Sequence, residues 1–252
     1  MRCPPHVVAV AYEGLCTFEF GIVVEAFAIR RPELNVPWYT FIVCSVEPGP
    51  VRALGGVTVH ASRGLGALRR ADTIVIPGWR NPDEPPPPAL TSALRATFNR
   101  GARVVSICSG VFVLAAAGLL DGRRATTHWR YAKRLAARFP QIVIEPDVLY
   151  IDEGRVLTSA GSAAGIDLCL HIIRNDYGAA IANEVARRLV VPPHRDGGQC
   201  DESIDRVAEA VGIQTAATLR HHFRRRLKTS PTAYRKVFTT VRGEEVGVRS
   251  TT

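Results

Sequence analysis

The chain has 252 residues, 46% of them hydrophobic, and carries 32 Lys and Arg against 23 Asp and Glu, a formal net charge of +9. This is enough apolar material to bury a full core in one large domain, or in one medium domain plus a small one. No run of about 18 apolar residues is present, which excludes a membrane-spanning helix. The six cysteines show no CxxC pair or zinc spacing, so neither a structural metal nor a cofactor is expected.

Residues 6–12 form an apolar run too short for a secretory leader and read as a first strand. The thiols are therefore expected to be free and the chain cytoplasmic. Residues 19–30 have helical spacing, with Phe20, Val23, Val24 and Phe27 on one face. Residues 38–46 are β-branched and aromatic, hence strand, and 51–61 carry Gly55-Gly56 between apolar runs, hence hairpin. Residues 73–76 are a buried strand closed by Pro77-Gly78. The prolines at 85–88 mark a loop, followed by a helix to about 100. Strand 103–107 leads into a buried helix, 109–119. A short extended piece, 126–128, precedes an amphipathic helix, 130–139. A second hairpin pairs 148–151 with 155–158, and 163–174 and 179–189 are helical. Strands alternating with helices predict an α/β domain, a mostly parallel sheet covered on both faces, over residues 1–190. The turn-rich stretch 191–200 reads as a linker, 201–240 as a small helical domain and 241–252 as a polar tail.

Charge is concentrated late in the chain. Residues 220–236 hold seven basic side chains and no acidic one. On charge alone, a solvated helix face explains this at least as well as a phosphate-binding surface.

The segment RVVSICSGVFVLAAAGLL places Cys108 at the end of a strand, with Ser109-Gly110 turning directly into a helix. This is the layout of a nucleophile elbow. A helix N-terminus favours thiolate, so Cys108 is expected to be the first cysteine modified by peroxide or iodoacetamide. Taken alone, a cysteine ending a buried strand is more often a small core residue. Three stretches extend the reading: TIVIPG (73–78), VVSICSGVFVLAAAGLLDGRRATTHW (104–129) and VLTSAGSAAGIDLCL (156–170). Together they resemble the ThiJ/PfpI family of the class I glutamine-amidotransferase-like superfamily over about residues 6–190. The resemblance implies a flavodoxin-like, doubly wound fold. It puts Cys108 at the nucleophile position, Glu19 against that thiol, His128 of TTHW at the family's histidine, and the backbone of Gly78 and Ser109 around an oxyanion-like or ligand pocket. Bland readings stand beside these: Glu19 as a first-turn acid, His128 as a core histidine. Trp79 departs from the small residue usual after Gly78 and is expected to narrow the pocket.

Residues 204–227 read IDRVAEAVGIQTAATLRHHFRRRL. Ala208 and Gly212 have helix-turn-helix spacing: the small residue lets two helices approach and the glycine permits the turn. Thr215 is the expected N-cap of the second helix. Leu219, Phe223 and Leu227 share one face, while Ala217, Arg220, His221 and Arg224 line the other and can face a groove. Arg225, Arg226 and Lys228 suit phosphates. With RRRLKTSPTAYRKVF, the stretch resembles the second helix-turn-helix of an AraC/XylS-type DNA-binding domain. The first unit of that domain is missing between Gln199 and this stretch. The resemblance implies a transcriptional regulator that binds double-stranded DNA as a homodimer. Its α/β domain would sense an unknown small molecule or thiol oxidation. The alternative is a cysteine-dependent hydrolase, hydratase or stress protein with a vestigial DNA-binding tail.

Overall fold

In the computed structural model, alternating apolar residues build a central sheet and place a helix layer on each face. The structure describes residues 4–192, 208, 215–227 and 230–231. The chain divides into two compact units, Met1–Gly197 and Gly198–Thr252.

In the first unit, β1 (His6–Ala11) is followed by α1 (Thr17–Val23), which continues as a wider five-residue turn, Val24–Ala28. Next come β2 (Thr40–Ser45), the two-residue strands β3 (Val51–Arg52), β4 (Thr58–Val59) and β5 (Arg63–Gly64), and β6 (Thr73–Pro77). Then follow α2 (Pro88–Asn99), β7 (Arg103–Ile107), α3 (Val111–Ala116), β8 (Arg124–Ala125), α4 (Trp129–Arg138) and β9 (Val143–Ile144). The unit closes with β10 (Tyr150–Asp152), β11 (Val156–Ser159), α5 (Ala164–Tyr177) and α6 (Ala179–Arg188). Seven strands form one sheet in the order β10-β11-β7-β6-β1-β2-β5. Every neighbouring pair in it is parallel except β10 with β11. The expected mostly parallel, flavodoxin-like α/β architecture is what forms.

The two-residue period of the strands divides the core. Val8, Val10, Ile74, Ile76 and Val104 face one cluster with Leu90, Leu94, Phe112 and Leu135 from α2, α3 and α4. Val7, Ala9, Val75, Val105 and Ile107 face the other, with Ile22, Leu168, Ile172 and Val185 from α1, α5 and α6. A strand buried on both faces reads as a continuous apolar run, and this is why its side chains alternate between clusters rather than between core and water.

Both expected hairpins are present, β3 with β4 and β10 with β11. The expected extended piece at 126–128 is displaced: the strand is β8, two residues earlier, paired with β9. Residues 126–128 instead connect β8 to α4, and the Thr126 amide donates to Thr158 Oγ1 of β11 at 2.9 Å.

In the second unit, α7 (Ala216–Leu227) begins where expected. The Thr218 amide donates to Thr215 Oγ1 at 3.2 Å, so Thr215 is the N-cap. Leu219 is buried and Phe223 half-buried, whereas Ala217, Arg220, His221, Arg224 and Arg225 are exposed. Ala208 is helical and buried. Gly212, Lys228, the Arg226 and Leu227 side chains, most of the linker and the tail lie outside the described residues.

Candidate functional site at the Cys108 elbow

Tyr12 follows β1, Gly78 follows β6 and Cys108 follows β7, and these three strands are neighbours in the sheet. Carboxyl ends of parallel strands are where open α/β sheets bind ligands. Cys108 has φ 57°, the left-handed region that a non-glycine residue adopts at a cost of about 1–2 kcal/mol. The neighbours hold it there. Thr127 Oγ1 donates to the Cys108 carbonyl at 2.9 Å. A Cβ on Gly161 would lie 2.5 Å from Cys108 Cβ, so only glycine lets the loop after β11 pass this close. The elbow is thus a strained turn with its sulfur directed by packing.

Glu19, in the first turn of α1, lies close enough for its charge to act on the Cys108 thiol, while the Ser109 amide favours the thiolate. Glu19 is thus placed near the thiol. The expected preference for thiolate is reversed. Burial, followed by the Glu19 charge, pushes the Cys108 thiol up to about 12, and the Ser109 amide only partly offsets this. A helix N-terminus favours thiolate, but here the sulfur is removed from water and faces a carboxylate.

His128 takes another role. It is the N-cap of α4, its Nδ1 accepting from the Arg130 amide at 3.3 Å. Its ring packs against Trp129 and Tyr131. Burial, then the Arg130 charge, lowers its pKa, so the ring is neutral near pH 7. Among the described residues no hydrogen bond joins His128 to Cys108. The Gly78 amide is also committed, donating to the Ile107 and Ile76 carbonyls at 3.0 Å each. Of the two expected backbone donors, Ser109 alone acts on the ionisation of the sulfur. Gly78 serves by lacking a side chain, because a Cβ there would sit 2.7 Å from Cys16 Sγ and 3.1 Å from the Tyr12 hydroxyl.

Cys16 is the residue the sequence reading missed. It sits at the N-cap of α1, half-buried, within hydrogen-bonding reach of Tyr12 and of Ser109. A charge on Cys16 would disfavour one on Cys108, so the two thiols are coupled. Burial raises the pKa of Cys16 as well. The signal was faint: a cysteine three residues before Glu19, one helical turn away. Trp79 packs beside the site. It is buried against Tyr12, with ring centroids 4.8 Å apart, and its Nε1 donates to the Glu84 carbonyl. Ser109 Oγ accepts from the Trp79 amide at 2.8 Å and donates to its carbonyl, clamping the turn after β6 onto the elbow.

A strained cysteine elbow, a carboxylate on its sulfur and a parallel sheet ending there agree with the family whose sequences match residues 7–175. The chain belongs to the DJ-1/PfpI family. The HTH-type transcriptional regulator CdhR of Pseudomonas aeruginosa is 36% identical over 178 residues, 71% of this chain and 52% of that protein. The chain thus spans about half the length of this relative. The isonitrile hydratase of Pseudomonas putida is 33% identical over 137 residues, 50% of this chain and 59% of the hydratase. The crystal structure of an AraC family transcriptional regulator from Pseudomonas putida superposes with a TM-score of 0.66 at 23% identity, covering 74% of this chain and all of that one. At that identity the likeness shows the fold, which is the DJ-1/PfpI domain.

Proposed function

We infer that the chain is a DNA-binding transcriptional regulator whose DJ-1/PfpI domain senses a small molecule at the Cys108 elbow. The observation that carries this reading is α7. It is capped by Thr215 and buries Leu219. It exposes Arg220, His221, Arg224 and Arg225, on a chain whose first unit is similar to a named HTH-type regulator. The spacing of Ala217, Arg220, His221 and Arg224 suits a major groove, and Arg225, Arg226 and Lys228 suit flanking phosphates. Of the two sensing modes, small-molecule binding is favoured over thiol oxidation, because a thiol pushed up to about 12 is protonated at neutral pH.

One helix-turn-helix touches few phosphates and binds weakly on its own. A homodimer that engages two half-sites compensates for this. Support for a second copy comes from an apolar groove of about 530 Å³ between α1 and α5, lined by Phe18, Ile22, Ala26, Ile166 and Leu170, with Phe18 57% exposed.

Titration onto duplex DNA at several salt concentrations tests the reading. Affinity should fall steeply with salt, and Arg225→Ala with Arg226→Ala should lower the salt slope by about 1 for each phosphate that is no longer neutralised. Binding that ignores both salt and these arginines rules the reading out.

The second reading is cysteine-dependent hydration or hydrolysis. It is favoured by the similarity to isonitrile hydratase and by Glu19 on the Cys108 thiol. Turnover of an isonitrile that disappears in Cys108→Ser establishes it; equal rates in both proteins dismiss it.

A further inference from the structure

Around the last turn of α2, five exposed arginines gather: Arg69, Arg70, Arg95, Arg100 and Arg155. Arg95 lies on α2 and Arg100 is its C-cap, Arg69 and Arg70 close the short turn Leu65–Arg70, and Arg155 stands just before β11. Hydrogen bonds tie these segments together. Arg100 Nη2 donates to the Arg69 carbonyl at 2.6 Å, and Thr97 Oγ1 donates to the Leu68 carbonyl at 3.2 Å. Arg155 Nη1 donates to the Phe98 carbonyl at 2.6 Å, with its Cζ 4.2 Å from the Phe98 ring centroid.

The fold explains part of this. The last carbonyls of a helix lack partners and favour cations, and Arg100 and Arg155 serve there. A carbonyl takes a hydrogen bond, however, and leaves the charge whole. Helix capping also does not account for Arg69, Arg70 and Arg95; Arg95 Nη2 reaches Ser92 Oγ on its own helix at 3.3 Å. Among the described residues none of the five forms an ion pair. Carboxylates close by in the chain are engaged: Asp72 accepts from the His6 amide at 2.8 Å and Glu153 pairs with Arg124. Like charges gathered without counter-charge repel one another, and an anionic partner relieves this.

We propose that this patch contacts the phosphate backbone of duplex DNA, as a second DNA surface besides α7. It rests on the DNA-binding reading and extends it. A guanidinium matches a phosphate in shape and holds its charge at any working pH. The five side chains come from three segments of an exposed surface, which suits an extended polyanion. A membrane surface would call for apolar side chains among the basic ones. The exposed large apolar residues are Phe18, Leu54, Val57, Trp129, Val143 and Val190, none of them on α2 or the turn Leu65–Arg70. One helix-turn-helix touches few phosphates, and each further arginine on a phosphate adds affinity without reading sequence. The patch lies at the amino ends of β6, β7 and β11, whereas Cys108 follows the carboxyl end of β7. DNA bound here leaves the elbow open to a ligand.

The test titrates the full chain onto duplexes of two unrelated sequences at several salt concentrations. Arg69→Gln, Arg70→Gln and Arg95→Gln are combined, and Arg100 and Arg155 stay in place to hold their carbonyls. The slope of log affinity on log salt should fall by about 0.9 for each phosphate no longer neutralised, about 2.7 in all, equally on both duplexes. Arg52→Gln, Arg187→Gln and Arg188→Gln together remove as much charge from other surfaces and should leave the slope unchanged. An equal drop in both triple variants overturns the patch, because net charge alone then sets the slope. A full slope in the patch variant, with a reduced one in Arg225→Ala with Arg226→Ala, overturns the patch and keeps the reading of α7. Salt-insensitive binding by the native chain removes both. Lost binding to phosphatidylserine vesicles with an unchanged DNA slope assigns the patch to a membrane surface and overturns it as well.

Discussion

Glu19→Gln should speed iodoacetamide labelling of Cys108 by about tenfold at pH 8, one pKa unit of relief being a factor of ten in thiolate. In the native chain the thiol is pushed up to about 12, so at pH 8 about one molecule in 10⁴ carries the reactive thiolate. Burial is the largest cause and survives the substitution. The Glu19 charge is next, and glutamine removes it. The Ser109 amide remains to favour thiolate. Peptide mapping of the labelled protein against time is the measurement. An unchanged rate at Cys108 would show that Glu19 supports only its own helix. The same experiment fixes an order in the unsubstituted chain. Cys16 is half-buried, while Cys44, Cys108 and Cys169 are buried. Burial pushes Cys44 up to about 12 and Cys169 higher still. Among these four, Cys16 should label first, reversing the order suggested by a helix N-terminus alone.

Gly110→Ala should destabilise the first unit by about 2–3 kcal/mol through overpacking. A Cβ at this position would stand 2.4 Å from the Ile76 carbonyl oxygen and 3.2 Å from the Gly78 nitrogen. Both are backbone atoms at the end of β6, and neither can rotate aside. Relief requires the elbow and β6 to separate, which also loosens the hydrogen bonds between Ser109 and Trp79. Gly66→Ala is the control. Its Cβ would meet nothing within 4 Å and its backbone is not left-handed, so its effect should stay within about 0.5 kcal/mol. Urea midpoints of the two variants measure the difference. Equal midpoints would mean that the elbow is not packed against β6 as described.

Much of the fold is legible from periodicity. The runs 73–76 and 103–107 are continuous apolar strands, and Gly55-Gly56 and Asp152–Gly154 mark turns that only a few residue types allow. The two-residue strands β5, β8 and β9 are not legible, because two residues carry no period. Their pairing is decided by which strand lies alongside. At the site, the strand-to-helix turn at Cys108 and the acid at Glu19 are visible from motif and spacing. Cys16, Thr127 and Gly161 are not, because they reach the elbow from loops far away in the chain.

By itself, then, the sequence determined the alternating α/β layers, the elbow, the Thr215 cap and the basic face of α7, all of which depend on residues close together in the chain. Tertiary structure decided the state of the elbow. Desolvation and the field of Glu19 depend on what packs around the sulfur, and they turn an expected thiolate into a protonated thiol. The same packing makes His128 a helix cap and commits the Gly78 amide to the sheet.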